Sequence, residues 1–415
     1  MLNVSQAYQN LMQSTFRLKC EPTVTIKSKD GTEDLHIFKS SNMTDLKINR
    51  KIDVLGKELP TIEFEWSAFY TGQDYSRLMY SPVNVMFHQT LSATDTSNTT
   101  TWKGLYENYT WKSMYENFTW RSMYKTHNTE DINFCTLFIS EEPTIKENKI
   151  TFKARDVLNF MNFQINDVFG SNLGEGNFYG PISTCLQKVI ADLPETATAL
   201  ISKIETSGEN IERFFRSLKL DRKIEVSSSF KDFLRNYLSL KDAFIYFNSN
   251  GILTARKFVS SGYNITGYTL NGNLMFKKPT VQETPKVSIY ENTYNYYDNV
   301  NSAWVKGTNR ILNELNIDGG EAFTEKNPLW AYRESDYVYE ANSPNVSRAR
   351  HIDTYYFGGA KTIEVECLPN LAIEMGDVIK VDYGEISNDA IVVQSELTYN
   401  GALREKIYLH TMKGA

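Results

Sequence analysis

The stretch LPNLAIEMGDVIKVDYG (368–384), followed by AIVVQSELTYNGALREKIYLHT (390–411), decides how this chain is read. Gly376-Asp377 interrupts the apolar run and turns the chain into a strand carrying Val378, Ile379 and Val381. Asn400-Gly401 stands between SELTY and REKIYLHT, a dipeptide suited to a tight hairpin because its glycine accepts positive φ without a Cβ clash. With KTIEVEC (361–367) just ahead, the last fifty residues or so read as successive antiparallel strands.

The same pattern recurs near the start of the chain. TVTIKS, DLHIF, DLKINRKIDV and TIEFEW follow one another, the last alternating Ile62, Phe64 and Trp66 against Glu63 and Glu65. Such alternation marks a half-buried antiparallel sheet. VNVMFHQTL, NFCTLFIS and KITFKA continue it after residue 82. Ahead of these strands, Val4, Tyr8, Leu11, Met12 and Phe16 fall near helical spacing and predict a short leading helix. The middle is mixed. RDVLNFMNF (155–163) reads as helical with Asp156 as its cap, and a loop with Gly170, Gly174, Gly176 and Gly180 leads to a helix over 182–193 that Pro194 ends. Asn250-Gly251 then supplies the turn of a hairpin between FIYFN and ILTARKF. Strands return from about 286, with a helix or loop expected around 325–350. The expected class is α+β, predominantly β, with two antiparallel β-barrel-like domains flanking a mixed α/β insert. The expected boundaries are an N-terminal helix at 1–18, a first β-domain at 19–158 with an insertion at 92–130, a middle domain at 159–285 and a second β-domain at 286–415.

Composition narrows the function by subtraction. The 415 residues carry a net charge of -6, with no basic block, which argues against nucleic-acid binding as the main task. Cysteines at 20, 135, 185 and 367 are too scattered for a disulfide framework or a zinc knuckle. The start MLNVSQAYQN lacks the features of a secretory signal, so a reduced, cytoplasmic origin is expected. Neither a G-x-S-x-G elbow, an H-E-x-x-H helix nor a phosphate loop is present, and the five histidines are far apart in sequence. The acidic pairs Glu141-Glu142 and Glu63/Glu65 read as the wet face of a sheet rather than a glycosidase dyad. No catalytic, cofactor-binding or metal-binding residue is therefore assigned.

Residues 102–128 form three near-copies, WKGLYENYT WKSMYENFT WRSMYKTHN. Trp102, Tyr106 and Tyr109 share one side of a helix, as do Trp111, Tyr115 and Phe118, and then Trp120 and Tyr124. A nine-residue period, however, advances a helix by about two and a half turns and also swaps the faces of a strand. The copies read as short elements separated by turns, or as a helix that is buried or covered by a partner. Their aromatic side chains suit contact surfaces, so these eight residues are candidate partner contacts. Contact with a membrane interface is the second reading, and packing within the subunit the third.

In order along the chain, four segments resemble the hub proteins at the distal end of phage tails, the tail-associated or baseplate-hub family of phages infecting Gram-positive bacteria. The terminal pattern quoted first is similar to that family's closing signature. DLKINRKIDVLGKELPTIEFEW resembles its first-barrel hairpin, CTLFISEEPTIKENKITFKARDVLNFM its barrel closure, and SLKDAFIYFNSNGILTARKF its inserted helix and hairpin. The resemblance implies a structural virion protein, made in the bacterial host cytoplasm and acting at the tail tip or baseplate. It implies a homotrimeric ring adapting a sixfold tail tube or distal tail protein to a threefold tip or spike, in contact with the tape-measure protein. DNA would cross the lumen without specific binding, repelled by acidic residues. Because this sequence stops at MKGA, any lytic or receptor-binding part is expected on another subunit. A glycan-binding host-recognition protein is the alternative from a different class, and a cell-wall hydrolase a third.

Overall fold

The computed structural model describes residues 16–93 (save 55 and 57), 127–160, 230–240, 243–247, 253–258, 265–283, 287–298, 301, 303–312, 321–333 and 360–411. Over these residues the protein is predominantly β. In chain order the strands are β1 (Phe16–Lys27), β2 (Asp34–Lys39), β3 (Met43–Lys51), β4 (Thr61–Phe69), β5 (Pro82–Ala93), β6 (His127–Ile139), β7 (Thr144–Lys146) and β8 (Lys149–Arg155). A helix, α1 (Phe230–Leu240), precedes β9 (Ala243–Phe247), β10 (Leu253–Lys257), β11 (Ile265–Asn271) and β12 (Thr280–Glu283). Then follow β13 (Val287–Asp298), β14 (Ala303–Leu312), β15 (Glu321–Arg333), β16 (Lys361–Cys367), β17 (Val378–Tyr383), β18 (Ile386–Tyr399) and β19 (Leu403–Thr411).

β4 shows why these segments are strands. Ile62, Phe64, Trp66 and Ala68 point inward and are buried, while Glu63 and Glu65 point out. Trp66 is held between two near-parallel rings, Phe64 at 4.7 Å and Phe152 at 4.8 Å between centroids. Each such aromatic pair contributes about 0.5–1.5 kcal/mol beyond the area it buries. Phe38 and Tyr75 close the cluster against Phe152, at 5.1 and 5.4 Å.

Fourteen strands join in one sheet whose main path runs β12-β16-β19-β18-β3-β4-β8-β6-β5-β1-β2, with β17, β11 and β7 attached to its side. The N-terminal and C-terminal strands meet where β3 pairs antiparallel with β18, Ile48 opposite Leu397 and Arg50 opposite Ser395. This corrects the expectation of two barrel-like domains: the described strands form a large open sheet that passes from one half into the other. Alternation reveals which face of a strand is buried, but it is silent about which strand an edge will bond. β9 and β10 form a separate hairpin, and β13, β14 and β15 a separate three-stranded sheet.

Other expectations change locally. Residues 16–18, assigned to the end of a leading helix, begin β1, where Phe16 pairs with Ala93 of β5; residues 1–15 lie outside the described residues. In the segment 155–163 the described part is not an α-helix, because Arg155 ends β8 and only a 3-10 turn, Val157–Phe160, follows. Residues 325–333, expected as helix or loop, are strand within β15. The expected glycine loop, the helix over 182–193, Asn250-Gly251 and residues 334–350 fall outside the described residues.

Candidate functional site

Two polar clusters tie the fold together, one within the large sheet and one between it and the β9–β10 hairpin, and both lie where elements distant in sequence meet. The first is at the β3–β18 seam. Leu46, Ile48, Arg50 and Ile52 all occupy inward positions, so strand geometry carries the Arg50 guanidinium into the core, 7% exposed. It donates to the Ile373 carbonyl at 3.2 Å and to Ser395 Oγ at 3.1 Å, lies 3.7 Å from Glu405 Oε1, and sits 4.5 Å over the Phe134 ring. Glu405 also accepts from Ser395 Oγ at 2.7 Å and from the Asn370 N–H at 3.0 Å. Burial raises its carboxyl above the usual carboxylate range, opposed by Arg50 and by those donors. With only 1% of Glu405 exposed, no substrate reaches it; the cluster is a lock between the two halves.

The second cluster docks the β9–β10 hairpin onto the loop before β17. Arg256 of β10 donates to Glu374 Oε2 at 2.8 Å, to Asp377 Oδ1 at 3.0 Å and to the Met375 carbonyl at 3.3 Å. Its guanidinium stacks 5.1 Å from the Tyr246 ring. The loop is closed by the Glu374 N–H donating to Asp377 Oδ2 at 2.8 Å, with Gly376 in the left-handed region at φ 81. Phe244 of β9 packs directly on Gly376, so close that a Cβ there would lie 2.3 Å from Phe244 Cζ. At the other turn, Tyr399 pairs with Leu403 across Asn400, Gly401 and Ala402, with Gly401 at φ 98.

Asp156 fixes the end of β8. Its carboxylate accepts from the Ile62 N–H at 2.8 Å and from the Asn159 N–H and side-chain amide at 3.1 and 2.7 Å. Burial pushes this carboxyl from 3.8 up to about 7, against the pull of those donors. A folded-state value above the unfolded one means that the folded protein binds the extra proton. The contribution is therefore full below about pH 4 and is lost as pH rises through about 7, at a slope of up to about 1.4 kcal/mol per pH unit. Asp156→Asn cannot titrate, so the stability gap between wild type and variant should narrow from about pH 4 to about pH 7 in urea unfolding and change little above that. A gap independent of pH would contradict the assignment.

The residues considered for chemistry are placed as follows. Glu63 and Glu65 lie on the outer face of β4, and Glu63 pairs with Arg155 at 3.6 Å. Glu141 pairs with Lys153 at 3.0 Å, and Glu142 lines a surface cavity. His88 meets Asp131 at 2.6 Å on the exterior, whereas His410 is buried. Cys20 and Cys367 are free and buried, and burial pushes the Cys20 thiol up to about 12, leaving it protonated at neutral pH. Among the described residues no group of three His, Cys, Asp or Glu side chains could hold a metal, and no helix is long and apolar enough to cross a membrane. Trp102, Tyr106, Tyr109, Trp111, Tyr115, Phe118, Trp120 and Tyr124 lie outside the described residues. Their segment connects β5 to β6, adjacent strands whose last described pair is Ser92 with His127.

No family model and no curated protein matches the sequence. Similarity appears at the level of fold. The 43 kDa tail protein of prophage MuSo2 from Shewanella oneidensis superposes with a TM-score of 0.50 at 9% identity, over 94% of this chain and 97% of that one. The tail protein from Neisseria meningitidis MC58 gives 0.51 at 11% identity, over 96% and 97%. The fold is that of phage tail proteins. Prophage tail protein gp18 from Listeria monocytogenes EGD-e aligns over 95% of each chain with a TM-score of 0.47 and 10% identity. The first two sources do not narrow the host to the Gram-positive bacteria that the sequence resemblance implied. Neither cluster, Arg50–Glu405 nor Arg256–Glu374–Asp377, was singled out from the sequence, because the partners stand 355 and about 120 residues apart.

Proposed function

We propose that this protein is a structural component of a phage tail, a tail-tip or baseplate hub that works as a homotrimeric ring. In this reading the ring joins the sixfold tail tube to a threefold tip, contacts the tape-measure and spike proteins, and lets DNA pass without binding it. The observation that carries the proposal is the end-to-end fold likeness to two tail proteins, over 94% and 96% of this chain. Two further features support it. Both ion clusters tie distant segments together, as a rigid adaptor needs, and the Arg50–Glu405 pair is closed off from solvent. The large sheet also ends in β2 and β12, each paired on one side only among the described residues, with Leu35, Ile37 and Val281 exposed there. Such edges are normally covered by a neighbour or blunted by charge.

The domain division expected from the sequence, two β-domains around an insert, is retained as the arrangement by which each subunit contributes twice to a pseudo-sixfold collar. The eight repeat aromatics are assigned to contact with a neighbouring virion protein. Removing one nine-residue copy, residues 111–119, is the test of that assignment. Particles carrying the deletion should fail to assemble or to infect, while the purified variant keeps the wild-type unfolding midpoint, because the β5–β6 connection tolerates shortening. Fully infectious particles would remove the contact role.

A further inference from the structure

A surface cavity of about 460 Å³ opens between the 70–79 loop and the turn before β7, and it belongs to neither ion cluster. Tyr70, Gln73, Arg77, Glu142, Pro143 and Ile145 are among its lining residues. Its volume is within the roughly 300–1,000 Å³ typical of small-ligand sites.

What distinguishes this place is backbone strain. Among the described residues three non-glycine positions have positive φ: Arg77 at 66°, Tyr80 at 62° and Glu147 at 54°. One of the three lines the cavity, and the other two follow its wall segments in sequence. Arg77 lines it, Tyr80 ends its loop, and Glu147 lies in the turn whose Asn148 carbonyl accepts the Tyr70 N–H at 2.7 Å. Left-handed side-chain-bearing residues are held only where the surroundings over-determine them, and they collect at ligand clamps. The surroundings here do so. Tyr75 and Leu78 are buried bolts, Tyr75 against the His36 ring at 4.6 Å, and the Tyr80 N–H donates to the Ile139 carbonyl at 3.0 Å. Asp74 is pinned by the Ser76 N–H at 2.8 Å and Oγ at 3.0 Å. The mouth is therefore preformed.

The lining chooses the ligand. The lining carries one cation, Arg77, and two carboxylates, Asp74 and Glu142, so phosphorylated or otherwise anionic molecules are disfavoured. A purely apolar ligand would strand those charges without partners. An apolar wall of Tyr70, Pro143, Ile145 and Met79 beside donors and acceptors fits a neutral molecule with one greasy face and hydroxyls on its edge. We propose that this cavity binds a neutral saccharide, with Tyr70 supporting the ring face and Gln73, Arg77 and Glu142 bonding its hydroxyls. The proposal stands apart from the ring reading and survives or fails without it.

Saturation-transfer NMR on the full chain with cellobiose, maltose and chitobiose, and with glucose 6-phosphate as the anionic comparison, tests it. At least one neutral disaccharide should bind, with a Kd on the order of millimolar, and the phosphosugar should not. Arg77→Ala should weaken that binding by about tenfold. Arg77→Gly should lose it equally yet raise the thermal unfolding midpoint, because glycine relieves the left-handed backbone. No transfer from any neutral sugar, or preference for the phosphosugar, would overturn the proposal, as would Arg77→Gly and Arg77→Ala binding like wild type.

Discussion

Replacing Arg50 by alanine is expected to destabilise the protein by about 3–5 kcal/mol, the range for breaking a buried ion pair by removing one partner. The loss comes from what is left behind. Glu405, 1% exposed, would keep its bonds from Ser395 and Asn370 but lose the cation that makes its burial tolerable. Arg50 also holds the Ile373 carbonyl, so one truncation disturbs β3, β18, β19 and the loop before β17 together. The pH dependence gives the cause away. Without Arg50 the Glu405 carboxyl, already raised by burial, rises further, so the variant regains stability as pH falls and the carboxyl takes a proton. Chemical unfolding at acidic and neutral pH reads this directly. The double variant Arg50→Met with Glu405→Leu should recover much of the loss, because apolar side chains of similar size often replace a buried pair at little cost. A single-variant loss under about 1 kcal/mol would mean that water reaches the seam.

Gly376→Ala is expected to cost about 2–5 kcal/mol, from two separable sources. At φ 81 any side chain strains the backbone, by about 1–2 kcal/mol. The new Cβ would also lie 2.3 Å from Phe244 Cζ and 2.9 Å from Cε1, forcing the ring and its hairpin outward at about 1–3 kcal/mol. A double-mutant cycle with Phe244→Ala separates them. In the Phe244→Ala background the alanine should cost only the backbone part, leaving a coupling of about 1–3 kcal/mol. No coupling would show that Phe244 does not press on the loop. Displacing the hairpin also pulls Arg256 away from Glu374 and Asp377, so the variant tests whether the middle of the chain is rigidly tied to the C-terminal strands.

Much of this was visible in the sequence, though unevenly. The strands of β4 and of the C-terminal run are explicit in period-two alternation, since both sit half-buried in one sheet. The seam cluster does leave a signal in the sequence. In Leu46, Ile48, Arg50, Ile52 and again in Leu403, Glu405, Ile407, Leu409, a charged residue stands at an inward position of an apolar series, and opposite charges at two such positions can pair. What no local pattern reveals is that β3 bonds to β18 across about 350 residues instead of closing a barrel of its own. β15 was hidden for another reason. It carries Pro328, and among the described residues β15 is an edge strand that pairs only with β13 and takes the proline at a register shift between Lys326 and Ala331. The fold likeness to tail proteins was legible only through the order of several weak segments, and the strained cavity loop not at all, because Arg77 and Tyr80 are residues that give no hint of positive φ.

The central claim is that this open sheet is built to meet copies of itself around an axis. Electron cryo-microscopy of the purified full-length oligomer is the most direct test. The account predicts a closed ring of three copies around a continuous lumen, with β2 and β12 covered at the contacts between subunits. Single chains that neither associate with one another nor bind tail-tube or tip proteins, or a ring with a different number of copies, would contradict it.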